Sequence, residues 1–165
     1  MSELTIRLAR QDEYGAVGEL TVEAYRTGEV LEGGSDYARS LAAAEDRAAE
    51  AELLVAVDEE DRVLGTVTIA LPGTRYAELS DGAELEFRML AVSPAAQGRG
   101  VGEALTRAVI ARATDLGLHA VVMSSSPLMT TAHRIYERLG FHRTPERDWS
   151  PIPGVNLYAF RLDLP

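Results

Sequence analysis

A mixed α/β chain, with helices on the faces of a mixed sheet, is predicted by three observations. Apolar residues make up 46% of the 165 positions, which allows a sizeable core. Strand-like and helix-like segments follow one another in the order βααββ and then βαβαββ. A glycine-rich turn, Gln97-Gly98-Arg99-Gly100-Val101-Gly102, joins an apolar run (Leu85 to Val92) to a helix-patterned segment (Val101 to Leu116). One domain over residues 1–165 is expected, because a second independent core would be cramped.

The elements are justified in chain order. Leu4-Thr5-Ile6-Arg7-Leu8 alternates apolar and polar and reads as a first strand. Asp12 can cap the next segment, in which Val17, Leu20, Thr21 and Ala24 recur at helical spacing. Gly28 to Ser35 reads as a loop and Asp36 to Glu50 as a second helix. Glu52 to Val57 and Arg62 to Leu71, joined by Asp58-Glu59-Glu60-Asp61, carry a β-hairpin signal that Pro72-Gly73 ends.

In the strand Ala83 to Val92, Leu85, Phe87 and Met89 share one face while Glu84, Glu86 and Arg88 share the other. Leu90 and Val92 are then apolar on the polar face. Either the strand becomes buried on both sides there or a β-bulge resets the alternation. Val101, Leu105, Ala108, Val109 and Leu116 mark a helix face that Gly117 stops. His119 to Met123 is a short strand, and Ala132, Ile135, Tyr136 and Leu139 form a second stripe ended by Gly140. Phe141 to Arg143 and Asn156 to Leu162 are final strands around a loop, Pro145 to Gly154.

Composition excludes several functions. The formal net charge of −10 argues against nucleic acid, whose binding rests on basic residues neutralising phosphates. Acidity either keeps the protein in solution or favours a cationic partner such as an amine. No apolar run approaches the ~20 residues of a membrane span, and the N-terminus lacks a signal-peptide pattern, so a cytoplasmic, membrane-free protein is expected. Cysteine is absent and the three histidines do not fall at ligand spacing, so no metal is expected.

Strand, glycine turn and helix start together make an anion site. Unpaired N–H groups and the helix dipole attract negative charge, and missing Cβ atoms allow close approach. Neither the P-loop pattern G-x-x-x-x-G-K-S/T nor the dinucleotide pattern G-x-G-x-x-G is present, since Glu103 stands where the third glycine of the latter belongs. Gln97-x-x-Gly100-x-Gly102 instead matches the Gln/Arg-x-x-Gly-x-Gly/Ala signature of the GNAT superfamily of N-acetyltransferases. Leu90-Ala91-Val92-Ser93-Pro94 resembles that family's strand and turn before the signature, and Ala132-x-x-x-Tyr136-x-x-x-Gly140-Phe141 its tyrosine helix. The resemblance runs from about Leu4 to Leu162.

The resemblance implies a mostly antiparallel mixed sheet of six to seven strands, splayed at strands 4 and 5, with about four helices on both faces. It implies acetyl-coenzyme A as donor: its pyrophosphate on the amides of Gly98, Arg99, Gly100, Val101 and Gly102, beside Gln97 and Glu103, and its arm along Leu90, Ala91 and Val92. Arg99, Arg134 and Arg138 could reach phosphates or be ordinary solvated arginines. Met129 stands where many members carry an asparagine, whose contacts Ser124 or Ser125 would then supply. Tyr136 matches the tyrosine that acts as general acid near the sulfur, although alone it also reads as a core residue. Leu90 N–H would polarise the carbonyl, and Glu86 occupies a position used by some members for a general base, with Glu84 as neighbour. The acceptor side would draw on Tyr25, Asp148 and Trp149, the last two suiting a cation. A small cationic amine is the expected acceptor. A protein amine acetyltransferase and a silent coenzyme-binding sensor are the alternatives, and a homodimer is plausible by family habit.

Overall fold

The computed structural model describes residues 4–27, 42–127 and 129–165. Strand β1 (Thr5–Leu8) leads through a 3-10 turn (Gln11–Glu13) into α1 (Tyr14–Thr27). The expected cap at Asp12 is not what holds this corner. Glu13 accepts the Arg10 N–H at 2.7 Å and pairs with the Arg7 guanidinium at 2.8 Å, so the turn is fixed one residue later. The loop Gly28 to Ser35 and the first part of the expected second helix lie outside the described residues. Its described part, α2, is Ala44–Glu50.

The hairpin β2 (Glu52–Val57) and β3 (Val63–Ala70) follows, its acidic turn closed by Asp58, which accepts the N–H groups of Glu60 and Arg62, each at 2.9 Å. Then come β4 (Glu84–Val92), α3 (Val101–Asp115), β5 (Ala120–Ser125), α4 (Thr130–Arg138), β6 (His142–Arg143), β7 (Trp149–Ile152) and β8 (Val155–Asp163). Among the described residues no helix is long and apolar enough to cross a membrane.

The eight strands run in the order β1-β2-β3-β4-β5-β8-β6, with β7 paired to β8. Only β4 and β5 are parallel, because α3 carries the chain back across the sheet between them. The count exceeds the expected six to seven because the segment read as a loop contains β7. Pro151 within it and Pro153 just after it hide it from a strand reading, yet an edge strand tolerates proline.

The two faces bury different sets. Val67, Ile69, Leu85, Phe87, Val121, Met123 and Phe160 pack with Leu105 and Val109 of α3 and Tyr136 of α4. Leu53, Val55 and Val57 pack against Val17 of α1 and Ala44 of α2 on the opposite face. Strand β4 changes allegiance midway. Leu90 joins the α3 side with Leu85 and Phe87, while Met89 and Ala91 pack on the α1 side with Leu20. Both readings left open for this strand hold, since it is buried on both sides and carries a bulge. Thr66 pairs Ala91 but Thr68 pairs Arg88, so Met89 and Leu90 together oppose Val67, and Met89 has a φ of 57°.

The bulge positions the rest of the site. Strands β4 and β5 keep register only from Glu84/Ala120 to Phe87/Met123, so residues 88–92 present an unpaired edge to the space beside β5. This is the splay expected at strands 4 and 5.

Candidate functional site

The glycine turn is built to expose backbone. Gly98 and Gly100 have φ of 81° and 77°, where a side chain would be strained, and Gly100 is the residue from which α3 starts. The start of α3 is pressed onto the sheet by Gly65 of β3, where an added Cβ would lie 2.6 Å from Val101 Cγ1. The first N–H groups of α3 therefore sit at the rim of β4, without intrahelical acceptors and at the positive end of a 15-residue helix.

A groove of about 280 Å³ opens beside them. Its lining includes Leu90, Ala91 and Val92 from the bulged strand, Gln97 and Gly102 from the turn, and Met129, Thr130 and Thr131 from the start of α4. Of the residues expected to hold the coenzyme, those five from β4 and the turn are thus gathered in one place. Gly98, Arg99 and Gly100 form the exposed turn at its end, while Val101 turns its side chain into the core and can offer only its N–H. Glu103 offers little more, since its carboxylate is held by Arg138 at 2.9 Å and by Arg107 at 3.4 Å. These ion pairs also mask a negative charge that would otherwise oppose an anion at the helix start.

A second, narrower slot lies where β4 leaves β5. Phe87, Arg88, Met89, Leu90, Met123, Ser124, Ser125, Met129 and Tyr136 line it, so Leu90 and Met129 belong to both spaces. Tyr136 is buried among Phe87, Phe141 and Phe160, with ring centroids 5.7–6.0 Å away. Burial raises its hydroxyl pKa, so the hydroxyl keeps its proton. Ser124, expected to replace the missing asparagine, accepts instead from Trp149 Nε1 at 3.0 Å.

Glu86 is fully buried on the other face of β4. Its Oε1 accepts the N–H groups of Leu79 and Ser80 at 2.7 and 3.0 Å, whereas Oε2 has no hydrogen-bond partner among the described residues. Burial pushes its pKa above the ordinary value, against the pull of those two N–H groups.

The residues expected to receive a cation or to sit beside the base are already engaged. Glu84 is buried between the guanidiniums of Arg147 and Arg161, and also accepts the Asp81 N–H. Burial works to raise its pKa, but these contacts together hold it below the ordinary range. Asp148 forks onto Arg143 at 2.7 and 2.9 Å and caps the Ala159 N–H at 2.7 Å. The ring of Trp149 carries the Arg88 guanidinium, 5.6 Å from its centroid. Glu84, expected beside the base, and Asp148 and Trp149, expected to suit a cation, are therefore each engaged by arginines of the chain itself. Tyr25 falls within α1, the side chain outside what is described.

Comparison with known proteins decides the family. The acetyltransferase (GNAT) family model matches residues 10–141. The chain belongs to the GNAT family. The fold is shared with yncA of Salmonella typhimurium, solved with its cofactor acetyl-CoA, at a TM-score of 0.70 and 24% identity over 99% of this chain and 95% of that one. A mycothiol acetyltransferase of Pseudarthrobacter chlorophenolicus is 41% identical over 90 residues, which are 54% of this chain and 27% of the relative. Human N-acetyltransferase 8B is 30% identical over 115 residues, 66% of this chain and 48% of the relative. The chain thus spans from about a quarter to about half the length of these curated relatives.

Within this GNAT frame, sequence reasoning missed Thr130, Thr131 and Arg88. The threonines carry no pattern beyond a helix start. Arg88 did carry a signal, for it stands two residues after Glu86 on the same strand face. Among the described residues no group of three or more His, Asp or Glu side chains is placed to hold a metal ion.

Proposed function

We propose that this chain is an N-acetyltransferase that uses acetyl-CoA and passes its acetyl group directly to the primary amine of a small acceptor. The observation that carries this reading is the continuity of the site. An exposed helix start, an unpaired strand edge and a buried tyrosine border two spaces that share Leu90, and a buried glutamate with a raised pKa lies across the strand.

When bound, acetyl-CoA supplies a thioester carbonyl open to attack and a sulfur leaving group. The N–H groups of residues 98–103 would hold its pyrophosphate, and the free edge of β4 would hold its arm. The residues present fit that role, since glycine leaves the turn open and the groove continues from it along β4. Leu90 N–H, within the bulge, polarises the carbonyl oxygen. Glu86 Oε2 would take the proton that the incoming ammonium must lose, and a pKa raised by burial makes it a stronger base than an ordinary carboxylate. Tyr136 keeps a proton at its hydroxyl where the departing sulfur needs one.

The relatives named mycothiol acetyltransferase support a small acceptor over a protein tail. The test is coenzyme A release across a panel of small amines and amine-bearing peptides, with acetyl-CoA affinity measured alongside. Turnover of at least one small amine is expected. Tight acetyl-CoA binding with no acetylated amine would overturn the enzyme reading, and turnover of peptides alone would overturn the small acceptor.

A further inference from the structure

The charge that the site leaves open is positive. Arg143, Arg147 and Arg161 around the segment 143–149 each hold a carboxylate, at Asp148 or Glu84. Arg88 holds none. It is half-buried, it lines the slot beside Leu90, its guanidinium lies over the face of Trp149, and its charge acts on Glu86 without a hydrogen bond to it. That ring is fixed in turn by its N–H bond to Ser124. In a chain with 26 acidic and 16 basic side chains, an arginine that lines a slot without an ion pair among the described residues, its charge felt by Glu86 only through space, is a candidate to receive an anion. A guanidinium stacked on an aromatic face keeps its donor edge available for a carboxylate.

Further unsatisfied atoms lie on the same face of the sheet. Glu86 Oε2 is buried and without a partner two residues from Arg88, and Thr68 Oγ1, directly across the ladder from Arg88, is buried without one as well. Ser80, whose N–H holds Glu86, has a buried hydroxyl in the same condition. Buried polar groups are ordinarily satisfied, so a cluster of orphans around one cation and one carboxylate points to a ligand that completes them.

We infer that the acceptor is a free amino acid, its carboxylate held by Arg88 and its amine presented to Glu86. The inference rests on the acetyltransferase reading and names the acceptor class within it. Glu86 and Arg88 leave the same strand face from Cα atoms roughly 6.6 Å apart, so one small ligand carrying an amine and a carboxylate on a single carbon can meet both side chains. The same pairing disfavours a polycation, which would meet Arg88, and a plain dianion, which would meet both Glu86 and the acidic field of the chain.

The experiment compares free amino acids with their carboxamides and with diamines, reading coenzyme A release, in the native protein and in Arg88→Gln and Arg88→Lys. The native protein should use an amino acid at least tenfold better in kcat/KM than its carboxamide. Arg88→Gln should bring that ratio near one, chiefly through KM for the acid, and Arg88→Lys should restore part of it. Unchanged circular dichroism and acetyl-CoA affinity in both variants would show that the fold and the donor groove are intact. Equal use of acid and carboxamide by the native protein, or equal losses for both in Arg88→Gln, would overturn the inference while leaving the acetyltransferase reading in place. Acetyl-CoA binding with no acetylation of any amine would overturn both.

Discussion

The two sides of β4 are built from different materials. On the α3 side the groove is made of backbone: a turn with two left-handed glycines, a helix start, and a strand edge released by a bulge at Met89 and Leu90. On the α1 side the site is made of side chains in long-range pairs. Glu84 reaches Arg147 and Arg161, and Trp149 holds Arg88 and Ser124. A backbone site suits a ligand feature that does not change, on the proposed reading a coenzyme. A side-chain site can be rewritten by single substitutions, which suits the part that chooses an acceptor.

The sharpest way to break the comparison is at the carboxylate and the tyrosine that face each other across it. Glu86→Gln and Tyr136→Phe should each lower kcat by about 10²–10³-fold while acetyl-CoA affinity holds, read from initial rates and equilibrium binding. Normal turnover in both would remove the proton-transfer roles. In Glu86→Gln the limb on which the rate rises with pH should also vanish, because its raised pKa places the ionisation above the ordinary carboxylate range. Stability should move the other way. A carboxyl whose folded pKa is raised favours the fold below its unfolded pKa, and that contribution is lost as pH rises through the folded value. Glu86→Gln keeps an oxygen for the Leu79 and Ser80 N–H groups and should be the more stable protein at neutral pH, though the poorer catalyst.

Next in size is Glu84. Its replacement by glutamine leaves Arg147 without a countercharge and Arg161 with Asp163 alone, and loosens the segment 145–149 from β4. A loss of about 2–3 kcal/mol is expected, less than for a wholly buried pair because both arginines are partly solvated. In a chain of this length that is a drop of roughly 5–10 °C in Tm. The contribution exists above the ordinary carboxylate pKa and fades as pH falls through the lowered value, so native and variant should converge in acid. A Tm unchanged at neutral pH would show that the segment is held by something else.

What the sequence made legible divides along the same line. Strand phase in Leu85, Phe87, Leu90 and Val92 exposed the bulge, and glycine spacing exposed the helix start, because both are local statements about backbone. The partners of Glu84 were not readable. Arg161 is 77 residues from Glu84, and only the sheet order, which sets β8 beside β5, brings them together. The tryptophan was found by type, but that Arg88 lies over its face could not be read from the sequence. Strand β7 was missed because two prolines outweighed a pairing that only β8 could supply.

On the backbone side, Gly100→Ala asks the turn to hold a side chain at a φ of 77°, which costs about 1–2 kcal/mol. Acetyl-CoA affinity should fall by about tenfold as the turn relaxes, with the acid-to-carboxamide ratio of the acceptor unchanged. Loss of that ratio with full donor affinity would mean that the two sides are not separable.

The smallest effect concerns Met129, which sits at the boundary between the two spaces and at the N-cap of α4. It makes no side-chain cap hydrogen bond there, and its side chain packs instead beside Leu20, Met89 and Ala91. Replacing it by alanine removes that packing. Asparagine removes it too, but its side-chain oxygen can accept an N–H from the first turn of the helix, a gain of about 1 kcal/mol at such positions. The two variants therefore share one loss and differ by one hydrogen bond. Denaturant unfolding should find Met129→Asn more stable than Met129→Ala by about 1 kcal/mol, and near the native protein overall. Equal stabilities would mean that the start of α4 is already satisfied, and that methionine gives up no cap by standing there.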